Sequence, residues 1–370
     1  MADDDATRFL AKPELQTLIE ELQRRSYRVV GPTVDQEAII YSELASVDQL
    51  PQGWTDEQAP GSYRLKRRDD DAWFGYVVGP HSWKKYLFPP RTTLLTSQKT
   101  EQGWAFLPPA PESEKFAMLG VRACELAAIR VQDRVFLEGP YQDPVYRARR
   151  ASLFLIAMNC TQAASTCFCT SMNTGPRCES GFDLALTEIE SGFLCEIGSD
   201  CGAEVLAACA TRLATGDELA QAEAARQQAV TMMTKQMRTD DLPQLLMSNL
   251  NHPQWKDVGE RCLSCTNCTM VCPTCFCSSV TEVRDLTTGD IERERTWDSC
   301  FNPDFSNLSG GPVRAETSDR YRQWLTHKLG TWHEQFGTSG CVGCGRCITW
   351  CPVGIDLTAE VAAIRETATP

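Results

Sequence analysis

Cysteine is the residue type with the most chemistry to offer here: it occurs 19 times in 370 residues. Eight cysteines form two runs of one pattern: Cys262, Cys265, Cys268 and Cys272 before Pro273, then Cys341, Cys344, Cys347 and Cys351 before Pro352. Each reads C-x2-C-x2-C-x3-C-P, a spacing that binds [4Fe–4S] clusters. Three close thiolates on a short turning loop can wrap three irons of one cube. The fourth, one helical turn on, points toward the other cluster. The expected ligand sets are therefore crossed. Cys262, Cys265, Cys268 and Cys351 make the first, and Cys341, Cys344, Cys347 and Cys272 the second. Zinc ribbons also use C-x2-C pairs, but not a third cysteine two residues on and a fourth before proline. Disulfides between such close neighbours would be strained.

A third group lies upstream. Lys115–Val121 and Ala151–Met158 are apolar runs suited to buried strands. Between them Cys124–Phe136 has the helical spacing Leu126, Ile129, Val131, Val135. That order predicts a parallel βαβ unit. Cys124 then follows the first strand and Cys160 the second, on the sheet edge where α/β proteins place ligands. Cys167 and Cys169 come next, in the turn-rich STCFCTSMNTGP. Cys124, Cys160, Cys167 and Cys169 are the expected ligands of a third [4Fe–4S] cluster, with Cys178 competing for the fourth position. The first turn of the helix offers positive charge to the Cys124 thiolate. The competing reading is a set of buried free thiols. Cys178, Cys195, Cys201 and Cys209 share no ligand spacing and read as ordinary buried thiols. Cys275, Cys277 and Cys300 admit three readings: alternative ligands, a redox pair, or packing beside a cluster.

Composition narrows the classes. Apolar residues are 42% and charged residues 23%, an ordinary globular balance. A net charge of −13 argues against binding nucleic acid or an anionic membrane. No apolar run is long enough for a transmembrane segment. The start, MADDDATRFLAKPELQ, has no hydrophobic stretch of a signal peptide, so a cytoplasmic location is expected. The four histidines, His81, His252, His327 and His333, are not paired at helical spacing. No G-x-G-x-x-G, Walker A run or nucleophile elbow occurs, so this chain is expected to bind no flavin or nicotinamide and to hold no catalytic residues.

The elements that must position these thiols follow from periodicity. A helix is predicted over Pro13–Arg25 and strands at Tyr27–Val30, Glu37–Tyr41, Ser62–Lys66 and Trp73–Val78. The aromatic and basic HSWKKYLFPPRTTLL reads as a strand edge or partner-facing surface. Phe182–Ile189 and Gly192–Ile197 read as a hairpin; Glu204–Leu213, Asp217–Met237 and Ser318–Phe336 read as helices. The expected architecture has an α+β or α/β domain at 1–215 and a helical bridge at 216–256. A mainly α-helical, two-[4Fe–4S] ferredoxin-like domain follows at 257–370, with a long insertion at 273–340.

Taken together, GVRACELAAI, NCTQAASTCFCTSMNTGP, GFDLALTE, CLSCTNCTMVCPTCFC, WDSCFNPDF and CVGCGRCITWCPVGID resemble a family. It is the beta subunit of cytosolic NAD(P)-linked nickel–iron hydrogenases of the sulfhydrogenase type, to which the A subunit of anaerobic sulfite reductase is related. The resemblance runs from Lys115 to Asp356, with HSWKKYLFPP upstream. It implies an electron-transfer subunit of an oxidoreductase complex, relaying single electrons to a nickel–iron catalytic partner. The implied partners are a flavin/NAD(P)-binding subunit, a small iron–sulfur subunit and a large nickel–iron subunit. An anaerobic sulfite reductase subunit and an autonomous ferredoxin-like carrier are the alternatives.

Overall fold

The computed structural model describes residues 7–109 and 114–367. Its strands begin with β1 (Arg8–Ala11), β2 (Tyr27–Asp35), β3 (Ala38–Glu43), β4 (Trp54–Ala59) and β5 (Ser62–Arg67). Next come β6 (Arg91–Thr100), β7 (Gly103–Leu107), β8 (Lys115–Val121), β9 (Phe154–Met158) and β10 (Leu184–Ile189). Then follow β11 (Gly192–Ile197), β12 (Thr211–Leu213), β13 (Ser278–Arg284) and β14 (Ile291–Trp297). The first six helices are α1 (Glu14–Arg24), α2 (Lys84–Leu87), α3 (Ala123–Phe136), α4 (Pro144–Ala151), α5 (Asp200–Leu206) and α6 (Gly216–Met232).

β8, β9 and β10 are buried almost residue for residue, so both their faces need cover. They form the middle of an eight-stranded sheet in the order β12-β1-β11-β10-β9-β8-β2-β3. β2, β8, β9 and β10 run parallel, and antiparallel strands flank them on both sides. On one face Leu15, Leu18 and Leu22 of α1 pack with Leu119, Ile156 and Leu186. On the other, Leu126 and Ile129 of α3 meet Phe116, Met118 and Leu155. Because β8 and β9 are adjacent and parallel, the residues leaving their C-terminal ends lie side by side.

Three elements ahead of the C-terminal cysteine runs depart from the sequence reading. Trp73–Val78 is not a strand. The N–H groups of Trp73 and Phe74 donate to the buried Glu188 carboxylate, and that of Val77 to Asp56. Carboxylates thus satisfy donors that a ladder would otherwise have to take. Glu204–Leu213 is helical only to Leu206, and its end pairs with β1 as β12. Asp217–Met237 is helical only to Met232.

The long insertion supplies sheet as well as helix. β13 and β14 form a hairpin, and β14 pairs with β6 in a second sheet of order β13-β14-β6-β7. The remaining core gathers Trp255, Val258, Tyr321, Trp324, Leu325 and Ile364 from three helices. The predicted Ser318–Phe336 helix is broken at His327–Thr331 by a π-type turn, which carries Lys328 inward.

Two C-F-C segments lock the halves together. Phe168, between Cys167 and Cys169, is fully buried in the C-terminal core with Leu242, Leu246 and Ile348. Phe276, between Cys275 and Cys277, stacks edge-on to Phe136 of α3, with centroids 6.0 Å apart. Each half thus inserts an aromatic into the other.

Truncating Phe168 to Ala should therefore destabilise the whole molecule by about 3–5 kcal/mol. Denaturant unfolding would read this, and a loss confined to one half would contradict it. A second expectation concerns Asp56, whose carboxyl is pushed up to about 6 by burial, against hydrogen bonds from Val77 and Gln58. Its folded pKa lies above the unfolded one, so its stabilising contribution is complete below about pH 4 and is lost as pH rises through about 6. The stability advantage of the wild type over Asp56→Asn should shrink by about 3 kcal/mol across that window. Equal melting differences at pH 4 and 7 would contradict it.

Candidate metal centres

The two C-terminal cysteine loops share one backbone shape. Ser264 and Gly343 occupy matching positions and both have positive φ, 51° and 64°. Thr266 and Gly345 match likewise, at 69° and 76°. These left-handed residues turn the chain sharply, which lets three thiols face inward. The Ser264 N–H donates to Cys262 Sγ at 3.4 Å, and the Gly343 N–H to Cys341 Sγ at 3.5 Å. Ser and Thr adopt this conformation only at an energetic cost, of order 1 kcal/mol or more each.

The second loop needs glycine for another reason. A Cβ on Gly343 would stand 2.7 Å from the Cys169 backbone, and one on Gly345 would stand 2.5 Å from the Thr166 carbonyl. The Phe168 N–H donates to the Gly343 carbonyl at 2.9 Å, and the Thr174 hydroxyl to that of Val342 at 2.7 Å. The first loop faces outward instead: Cys265 is exposed and Leu263 is 63% exposed.

Cys262, Cys265, Cys268 and Cys351 line one pocket, covered by Phe301, Tyr321 and Trp324. Cys347 lies on the wall of the same pocket. Burial first, then the neighbouring Cys262, Cys351 and Cys265, drives the Cys268 thiol well up. Cys272 faces the other loop. Burial raises the Cys341, Cys344 and Cys347 thiols, and Cys272 adds to each. The structure therefore brings Cys351 to the first run and Cys272 to the second.

In the N-terminal half, Cys124 lies in the first turn of α3 and Cys160 just past β9. Cys124, Cys167 and Cys169 pack in one cluster with Ala127, Ala164 and Cys344. Cys160 neighbours Cys167 and Cys169, but also Cys178, which is fully buried below with its N–H on Asn159 Oδ1 at 2.7 Å. Burial pushes Cys124 well up and Cys167 to about 12, as it does Cys341. The expected pull of the helix terminus on Cys124 is thus outweighed by desolvation. Thiols so placed stay protonated alone and ionise only in exchange for a metal. Among the described residues no three Cys, His, Asp or Glu side chains close on a single ion. A cube, with iron and sulfide between its ligands, needs thiols standing further apart than one ion does.

Cys195, Cys201 and Cys209 sit in or against the main sheet's core. Cys277 and Cys300 meet at the base of the β13–β14 hairpin, where the Cys300 hydrogen bond lowers Cys277 to about 7. Cys275 hydrogen-bonds Cys272. The HSWKKYLFPP stretch is not mainly surface: Trp83, Lys84, Leu87 and Phe88 are buried. Trp83 Nε1 donates to Glu125, and Lys84 Nζ donates to the Cys275 carbonyl at 3.1 Å.

Four cations escaped the sequence reading. Arg122 is wholly buried beside Cys160, donating to the carbonyls of Phe74, Tyr76 and Asn159. Arg346 is wholly buried beside Cys344 and ion-paired with Glu125. Lys328 Nζ lies 3.4 Å from Cys272 Sγ, and Lys84 is near the same cysteine. Nothing in their local sequence marks them, since a charged residue ordinarily reads as solvated surface.

Residues 261–355 match the family described as a 4Fe-4S dicluster domain. The chain is similar to sulfhydrogenase 2 subunit beta of Pyrococcus furiosus, 29% identical over 344 residues that cover 92% of each chain. No solved structure matches it. Among the described residues no helix is long and apolar enough to cross a membrane. These likenesses support a hydrogenase beta-type iron–sulfur subunit with an electron-transfer role.

With crossed ligand sets as expected, exchanging Cys272 for Ala should damage the cluster expected at Cys341, Cys344 and Cys347 while sparing the one nearer in sequence. Electron paramagnetic resonance of the reduced protein would show which signal is lost, and the reverse pattern would mean that the ligand sets are not crossed.

Proposed function

We propose that this chain relays single electrons through three [4Fe–4S] clusters, between a flavin/NAD(P)H subunit and a nickel–iron hydrogenase partner made of small and large subunits. Cys262, Cys265, Cys268 and Cys351 hold the first cluster, and Cys341, Cys344, Cys347 and Cys272 the second. Cys124, Cys160, Cys167 and Cys169 hold the third. Each bound cluster supplies one-electron capacity at a potential tuned by charge, hydrogen bonds to sulfur and exposure.

One observation carries this reading: the thiol groups form an unbroken series. Cys347 of the second set lines the pocket of the first, and Cys344 of the second packs against Cys124, Cys167 and Cys169 of the third. An electron entering at the exposed Cys265 end has adjacent stations into the parallel sheet. Away from that exposed end, apolar side chains pack around the stations. Phe301, Tyr321 and Trp324 cover the first, and Ala127, Ala128 and Ala164 pack close to the third. The likeness to a sulfhydrogenase beta subunit supports the proposed partners.

Anaerobically reconstituted chain should contain about twelve irons; about eight would remove the third cluster from the proposal. Alone it should accept electrons from a strong artificial reductant but not oxidise NADPH. From its native source it should co-purify with a nickel-containing large subunit, and recovery with a sirohaem protein instead would overturn the hydrogenase assignment.

A further inference from the structure

We propose that Lys328 raises the reduction potential of the middle cluster, the one assigned above to Cys272, Cys341, Cys344 and Cys347. The inference rests on that ligand set and goes beyond it, because it concerns a residue that binds no metal.

Lys328 is 3% exposed, on the π-type turn His327–Thr331. Its ammonium donates to Cys272 Sγ at 3.4 Å, to Thr274 Oγ1 at 3.1 Å and to the Gly340 carbonyl at 3.0 Å. These are a thiol, a hydroxyl and a carbonyl. Among the described residues no carboxylate pairs with it. Lys84, the second buried lysine here, is in the same condition: it donates to the Cys275 and Thr269 carbonyls and lies over the Trp297 ring at 3.9 Å. The contrast is with Arg346, whose charge beside Cys344 is matched by Glu125.

A buried ammonium without a counter-charge is costly, so its neighbourhood must supply negative charge. Four thiolates around an iron–sulfur cube supply it at the point where Lys328 aims. Reduction adds one electron to that cube, breaks no bond and needs no proton from an amine already cationic. The added charge falls beside Nζ in a water-poor interior, where attraction is weakly screened. The reduced form gains more from Lys328 than the oxidised form does, so the potential rises. The direct N–H···S hydrogen bond acts in the same direction.

The test is a redox titration of the full-length, reconstituted chain, followed by electron paramagnetic resonance. The middle cluster's signal is identified by its loss in Cys272→Ala. The iron content and signals of the wild type judge the ligand assignment; the midpoint of the variants judges Lys328. Lys328→Met should shift the reduction equilibrium of that cluster against reduction by tenfold or more, a fall of about 59 mV for a one-electron couple. The outer clusters should move less. Lys328→Gln, which keeps a donor but no charge, should also fall, and Lys328→Arg should stay near the wild type. A neutral variant with full iron content and an unmoved midpoint would overturn the proposal. Loss of the middle cluster from the neutral variants, with or without its loss from Lys328→Arg, would show a lysine that holds the site together and would likewise overturn the proposal.

Discussion

Two phenylalanines, each between a pair of cysteines, decide how this molecule is put together. Phe168 leaves the parallel-sheet half and fills the helical core, while Phe276 leaves the helical half and packs on α3. Burying a phenylalanine contributes about 2–3 kcal/mol, and each insertion also fixes the thiols beside it. The second cysteine loop is pressed so closely on the Thr166–Cys169 segment that Gly343 and Gly345 have no room for a side chain. Continuity of the thiol series therefore depends on the same contact that joins the halves.

Charge is the second constraint. Clusters ligated by thiolates carry net negative charge into an interior that also excludes water. The fold answers with wholly buried arginines and lysines, drawn from both halves. Glu125 organises the arginine side: it accepts from Tyr41, Trp83 and the Arg122 N–H, and it pairs with Arg346. That shared carboxylate links the edge of β8 to the second cysteine loop. Among the described residues no carboxylate pairs with the lysines, so the two sides of the second cysteine loop differ in their charge partners.

A third feature is the strand exchange. β14 of the insertion pairs with β6 of the N-terminal half over much of its length, and Arg295 of β14 pairs with Asp143 at the start of α4. The insertion between the cysteine runs thus serves as a brace. It brings Cys277 and Cys300 together and carries Lys328 to Cys272.

The sequence alone determined the ligand chemistry and much of the core. Spacing identified both C-terminal cysteine runs, and continuous apolar runs marked β8 and β9 with α3 between them. Those signals are local: a ligand loop, a period or a fully buried strand leaves its trace within a few residues. The tertiary structure decided which half each C-F-C phenylalanine enters. It also decided that Trp73–Val78 would satisfy its donors on Glu188 and Asp56, and that β13–β14 would find β6 as a partner. It set the thiols of the second loop against those of the sheet edge, and it buried Lys84, Arg122, Lys328 and Arg346 beside them. Each of these buried charges takes its hydrogen-bond partners from distant segments, so no single stretch of sequence carries that information.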